Sequence, residues 1–116
     1  MFDISKLKTP CYVIDESLLL NNLKILDYVR KATDCKILLA QKAFSMYSVY
    51  PLISKYLDGT TASGLFEARL GREEFEGEVH VFSPAYKQDE IEKLVKISDH
   101  IVFNSFFQWK KYRDFI

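Results

Sequence analysis

The chain has 116 residues, 48% of them hydrophobic and 15% aromatic, which suffices for one domain with a real core and excludes a disordered segment. The 16 basic residues balance 16 acidic ones and no basic run is longer than a pair such as Lys110-Lys111, so no phosphate-backbone footprint points to nucleic acid. No basic-then-apolar leader opens the chain and no apolar run approaches ~20 residues, so a soluble, cytoplasmic protein without a membrane partner is expected.

In chain order, short apolar strands alternate with amphipathic helices, the pattern of an α/β domain with parallel strands. After Thr9-Pro10, which favours an extended start, Cys11-Tyr12-Val13-Ile14 reads as a strand. Asp15 is placed to cap the helix that follows, whose apolar stripe is Leu19, Leu20, Leu23 and Leu26. The apolar run Lys36-Ile37-Leu38-Leu39-Ala40-Gln41-Lys42 is the second strand. A helix over Tyr50 to Leu57 comes next, with Pro51 in its first turn.

The third strand spans about Gly59 to Ala62, and Ser63-Gly64 opens a helix from Leu65 to about Phe75. Gly77 then turns the chain into a fourth strand, Val79 to Phe82. Ile91, Leu94 and Val95 mark the apolar stripe of the following helix. Ile101 to Phe103 is the fifth strand. Ser105 and Gln108 have capping-box spacing before a last helix that runs to the apolar end of the chain. Cys11 and Cys35 lie 24 positions apart in apolar settings without metal-ligand spacing, and are expected to be buried, reduced thiols.

Lys42, Ser63, Ser83 and Asn104 stand at the carboxyl ends of the last four strands, spaced by 21, 20 and 21 positions. In parallel α/β architecture these ends face the ligand site. Strand ends are also polar merely because they meet water. A lysine amine where a buried strand opens into a loop suits Schiff-base chemistry, although a solvated strand terminator has the same signature. His80 lies within a strand and His100 begins one, so both are read as structural, and no metal site is expected. By strand alternation Gln41 points away from the face that Lys42 serves. Four or five strand-helix units are half of a (βα)8 barrel of ~250 residues, or a complete open sheet of flavodoxin type, and pattern alone does not separate the two.

Three segments in fixed order carry a resemblance. They are Thr9-Pro10-Cys11-Tyr12-Val13-Ile14-Asp15-Glu16, Leu39-Ala40-Gln41-Lys42-Ala43-Phe44-Ser45, and Asp58-Gly59-Thr60-Thr61-Ala62-Ser63-Gly64-Leu65-Phe66-Glu67-Ala68-Arg69-Leu70-Gly71. Together they resemble the amino-terminal part of the carboxynorspermidine decarboxylase group, among the alanine racemase-like, fold-type III decarboxylases that use pyridoxal 5'-phosphate (PLP). The resemblance implies an α/β fold that is the N-terminal half of a PLP-binding (βα)8 barrel, with residues 1–116 forming part of that domain and a β-rich second domain beyond.

It also implies that Cys11 to Ile14 lies outside the barrel, and that the strand ending at Lys42 is its first of four. Lys42 would carry PLP covalently. Ser63 would orient the lysine or cofactor, and Ser83 is a further cofactor-binding candidate. The implied activity is decarboxylation of carboxynorspermidine or carboxyspermidine to norspermidine or spermidine, by a homodimer in its complete form. The family's ring-stacking histidine, its acidic partner for the pyridine nitrogen, its glycine-rich phosphate loop and its cross-dimer cysteine have no counterparts among these residues.

An amine adds to an aldehyde only when neutral, and an ordinary lysine with a pKa of about 10.4 is almost wholly charged at pH 7. Burial at the strand end is therefore expected around Lys42. Glu67 is either a site carboxylate or a first-turn acid favoured by the helix dipole, the second being preferred. Tyr86 either lines a substrate channel or caps the barrel, again with the second preferred. A PLP-binding protein without decarboxylase activity and a small α/β interaction module are the competing functions.

Overall fold

The computed structural model describes residues 3–116. Four strands, β1 (Leu38–Ala40), β2 (Gly59–Ala62), β3 (Glu78–Phe82) and β4 (His100–Val102), form one parallel sheet in the order β1-β2-β3-β4. That sequential order decides between the two architectures that pattern left open. A flavodoxin-type sheet folds back and places its second strand outside its first, whereas barrel units add strands in one direction.

Among the described residues, five α-helices connect or flank these strands: α1 (Glu16–Thr33), α2 (Tyr50–Ile53), α3 (Leu65–Glu74), α4 (Gln88–Ile97) and α5 (Phe106–Tyr112). Crossovers of one hand bring connecting helices to one side of a parallel sheet. Strand period then decides what each residue meets. Thr60, Ala62, Val79 and Val81 point under the helices and are fully buried, in a core that includes Ala68, Ile91, Leu94 and Tyr112. A second cluster gathers Leu23, Val49, Tyr50, Ile53, Leu57 and Phe75, against which Leu39 packs. The opposite face carries Leu38, Ala40, Thr61, Glu78, His80, Phe82, His100 and Val102, all half-buried or exposed.

Local signals explain most element ends. Asp15 caps α1 as expected, its carboxylate accepting from the Ser17 and Leu18 amides. Asp34 closes that helix in the left-handed region at φ 55°. Ser105 caps α5 through the Gln108 amide, but the reciprocal half of the capping box is missing because the Gln108 side chain donates to the Pro84 carbonyl instead. Gly77, at φ 155°, makes the turn into β3, a conformation that L-residues avoid.

Several expectations are corrected. Cys11 to Ile14 forms no strand, since no sheet edge among the described residues reaches it and Tyr12 is 99% exposed. Both cysteines are exposed, Cys11 on that unpaired segment and Cys35 in the loop after α1. The helix expected over Tyr50 to Leu57 stops at Ile53, where the amides of Tyr56 and Leu57 both turn back onto the Ile53 carbonyl to bring the chain into β2. Pro51 does sit in its first turn. The last helix ends at Tyr112 and tightens into a 3-10 turn over Arg113–Phe115. Leu26, at the end of the α1 stripe, is 38% exposed.

One device recurs at alternate strand starts. The Asp58 amide donates to the Ile37 carbonyl at 2.9 Å and its carboxylate accepts from the Ile37 amide at 2.8 Å. Asp99 does the same with Val79, at 2.8 Å for both bonds. Each carboxylate is clamped by an arginine from the helix that leads into the neighbouring strand, Arg30 at 2.7 Å and Arg72 at 2.6 Å. Thus every second βα unit repeats a pin that fixes strand register.

The Val79 amide, and after it the Arg72 guanidinium, hold the Asp99 carboxyl below the usual carboxylate range against an opposing effect of burial. A carboxyl depressed in the folded state contributes stability above its unfolded pKa of about 3.9, lost as pH falls through the lower folded value. Asp99→Asn in the natural polypeptide is therefore expected to cost on the order of 1 kcal/mol near neutrality, a partly exposed pair being discounted for solvent. It should also flatten the acid limb of the stability profile, as followed by urea unfolding. Parallel acid limbs for variant and wild type would remove this role.

Candidate active site

Extending the observed pairings gives rows of side chains across the open face. Leu38, Gly59 and Glu78 are level, as are Ala40, Thr61, His80 and His100. The strand expected to end at Lys42 ends at Ala40, and Lys42 lies in the turn where the Ala43 and Phe44 amides donate to the Ala40 carbonyl. In the row above, Phe82 pairs with Val102 and Ser63 directly follows β2. The structure accordingly brings Lys42 and Ser63 together: they line one small notch of about 50 Å³ with Ala40, Thr61, Ala62 and Phe82. Both are exposed, so the burial expected at Lys42 is absent from this chain's own packing.

Ser83 and Asn104 do not join them. Ala62 pairs with Val81, so Ser63 stands level with Phe82 and the Ser83 side chain falls on the other side of the strand. There its hydroxyl donates to the Ala85 carbonyl at 3.0 Å. Asn104 lines a separate groove of about 460 Å³ with Phe103, Ser105, Phe106 and Trp109. Phe82 is the notch residue that sequence reading missed, and the signal that finds it is register rather than spacing.

The supports beneath the notch are polar and specific. Gln41, only 1% exposed, points away from Lys42 as alternation requires, and its Nε2 donates to the Glu67 carbonyl at 2.8 Å. That bond ties the end of β1 to the start of α3. The Glu67 carboxylate reaches back to accept from the Ser63 amide at 2.6 Å, so Glu67 acts at the helix start, the role preferred for it. Together they fix the two backbone positions that carry Lys42 and Ser63. Gln41 was seen in the sequence only as a residue on the far face; its positioning role has no signal there.

Tyr86 is buried and serves as a cap, as preferred. Its hydroxyl accepts from the Ser83 amide at 3.0 Å and donates to the Val102 carbonyl at 2.8 Å, bridging the ends of β3 and β4. Burial pushes this phenol above its ordinary range. The Tyr112 hydroxyl donates to the Tyr86 carbonyl at 2.8 Å and secures the loop from α5.

The fold and notch define a parallel α/β array that presents a lysine amine, a serine hydroxyl and an aromatic ring on its open face. No known family profile matches the chain. The chain is, however, 44% identical over 106 residues to a carboxynorspermidine/carboxyspermidine decarboxylase of Herminiimonas arsenicoxydans, covering 91% of this chain and 29% of the relative. It is 40% identical to a carboxyaminopropylagmatine decarboxylase of Synechocystis sp., over 96% of this chain and 29% of that protein.

The crystal structure of carboxynorspermidine decarboxylase from Campylobacter jejuni, complexed with norspermidine, superposes with a TM-score of 0.92 at 38% identity, over 94% of this chain and 30% of that one. Nearly all of the chain is thus homologous to a segment of carboxynorspermidine/carboxyspermidine decarboxylases. It spans less than a third of the length of the curated relatives it matches. Among the described residues no helix is long and apolar enough to cross a membrane.

Gly71 shows how tightly this support is built. A Cβ there would stand 2.4 Å from the Thr60 hydroxyl and 3.3 Å from the Gln41 amide, all of them buried. Gly71→Ala is therefore expected to destabilise the natural polypeptide by about 1–3 kcal/mol through overpacking, although alanine is the better helix former. Urea unfolding measures it, and a variant as stable as wild type would show that α3 can move off the sheet freely.

Proposed function

We propose that this chain contributes the lysine-bearing half of a PLP-dependent decarboxylase acting on a carboxylated polyamine, carboxynorspermidine or carboxyspermidine. The observation that carries the reading is the row Lys42, Ser63 and Phe82 at the carboxyl edge of the open face, in a chain matching named decarboxylases at 40–44% identity. The four sequential parallel strands are read as half of a (βα)8 barrel, residues 1–116 as part of that domain, and a homodimer in the cytoplasm as the working form. The norspermidine bound by the Campylobacter protein supports a polyamine product here. The agmatine-derived name of the Synechocystis relative supports a site that reads the amino-acid end and tolerates variation in the tail.

The donor set fits PLP. An amine for the aldehyde carbon, a hydroxyl beside it and apolar side chains from Ala40 and Phe82 suit a planar aromatic aldehyde. When bound, the cofactor supplies a ring that accepts the electron pair left on the α-carbon as carbon dioxide departs. Lys42 would hold it covalently, and Ser63 would orient the lysine or the ring by a hydroxyl hydrogen bond. Gln41 keeps Lys42 on the open face through its bond to the Glu67 backbone, and Glu67 holds the Ser63 amide. Ser83, with its hydroxyl and amide both engaged locally, would serve the cofactor only through the shape of its loop.

Reduction of the natural polypeptide with borohydride in the presence of PLP should fix a pyridoxyl group on the peptide containing Lys42, as read by mass spectrometry. Lys42→Ala should lose that adduct and the release of norspermidine from carboxynorspermidine, while keeping the far-ultraviolet circular dichroism of wild type. Turnover retained in Lys42→Ala would exclude this mechanism. An adduct formed without any turnover would favour a PLP-binding protein that is not a decarboxylase.

A further inference from the structure

One same-face row below Phe82 and Val102, two imidazoles meet one carboxylate. His80 and His100 face each other across β3 and β4 with ring centroids 4.3 Å apart, and Glu78 lies two residues before His80 on the same side of the strand. The Glu78 Oε2 is 2.9 Å from the His80 Nε2 and 3.9 Å from the His100 Nε2. Its other oxygen is taken by Lys36. One ligand atom from each of Glu78, His80 and His100 falls within 4.8 Å of the others.

Ion pairing to Lys36 and His80 engages Glu78 but leaves the second ring without a close partner. A single carboxylate accepts from Lys36 on one oxygen and faces two rings with the other, and the His100 Nε2 has no hydrogen-bond partner among the described residues. Two neutral imidazoles and a carboxylate are instead a nitrogen and oxygen set for a borderline divalent ion. Such an ion binds three protein ligands at about 2.0–2.2 Å and keeps a position for water. Ligation would require the half-buried His80 and the exposed His100, whose rings pack on each other at 4.3 Å, both to turn their nitrogens toward a common point.

We propose that Glu78, His80 and His100 form a divalent metal site of zinc type on the open face of the sheet, distinct from the lysine notch. No step of the lysine chemistry depends on it. Lys36, paired with the outer oxygen of Glu78, neutralises the carboxylate and sets a ceiling on affinity.

Equilibrium dialysis of the natural polypeptide against Zn2+ tests the site. One ion per chain is expected, with binding weakened at least about tenfold by His80→Ala or His100→Ala, a loss at least as large as that from removing a group that only hydrogen-bonds to a ligand. Lys42→Ala should leave it unchanged, which separates this site from the cofactor lysine. X-ray absorption of the zinc-loaded wild-type protein needs no variant to fold, and should report two imidazoles per ion. Absence of stoichiometric binding, a spectrum without imidazole, or equal binding by the folded double variant would overturn the proposal.

Discussion

The alternation of a parallel strand under one-sided helices governs this molecule. Each strand residue either enters the packed layer or stands on the open face, and there is no intermediate choice. Gln41 and Lys42 follow β1 side by side yet differ in fate: one is buried and bonded to the α3 backbone, the other is exposed in the turn that leaves the strand. Lys42 does not owe its position to its own contacts. It is presented there by the burial of its neighbour.

Such a scheme works only if strand register is firmly set, because a slip of one residue would exchange the two faces. The Asp58 and Asp99 pins supply that constraint at the amino ends of the strands, and Tyr86 bridges two strands at the carboxyl ends. These are charge-assisted or buried hydrogen bonds with fixed geometry, stronger than surface pairs such as Arg69–Glu73. Gly71 completes the arrangement by letting α3 lie against Thr60 and Gln41 without an intervening methyl group. Polar side chains therefore choose the register, while the apolar core supplies the bulk of the stability.

Much of this was legible beforehand. The strands from β1 to β4, the helices between them and the Asp15 cap follow from period and capping chemistry, both of which are local. Parallel order was inferable, but sequential order was not, since it depends on which strand edge each crossover selects. The near-equal spacing of Lys42, Ser63, Ser83 and Asn104 misled because offsets between paired strands differ. Lys42 and Ser63 line one notch, while the pairing of Ala62 with Val81 puts Phe82 in the place that spacing gave to Ser83. Cys11 to Ile14 has the composition of a strand, yet a strand needs a partner edge, which composition cannot provide.

The same logic bears on the exposure of Lys42. A sheet with one covered face leaves the other to be completed by whatever packs against it, and row by row that face changes character. Leu38 and Ala40 are apolar at β1, the Glu78, His80 and His100 group is polar at β3 and β4, and Phe82 and Val102 are apolar again above. A uniformly solvated face would have no reason to carry Phe82 at 42% and Val102 at 50% exposure beside a lysine. On the function proposed above, that apolar row beside one amine would suit a planar aromatic ligand, whose ring burial and the desolvation of the amine would come together. The buried Gln41 to Glu67 bond fixes the backbone beneath that row by tying the end of β1 to the start of α3.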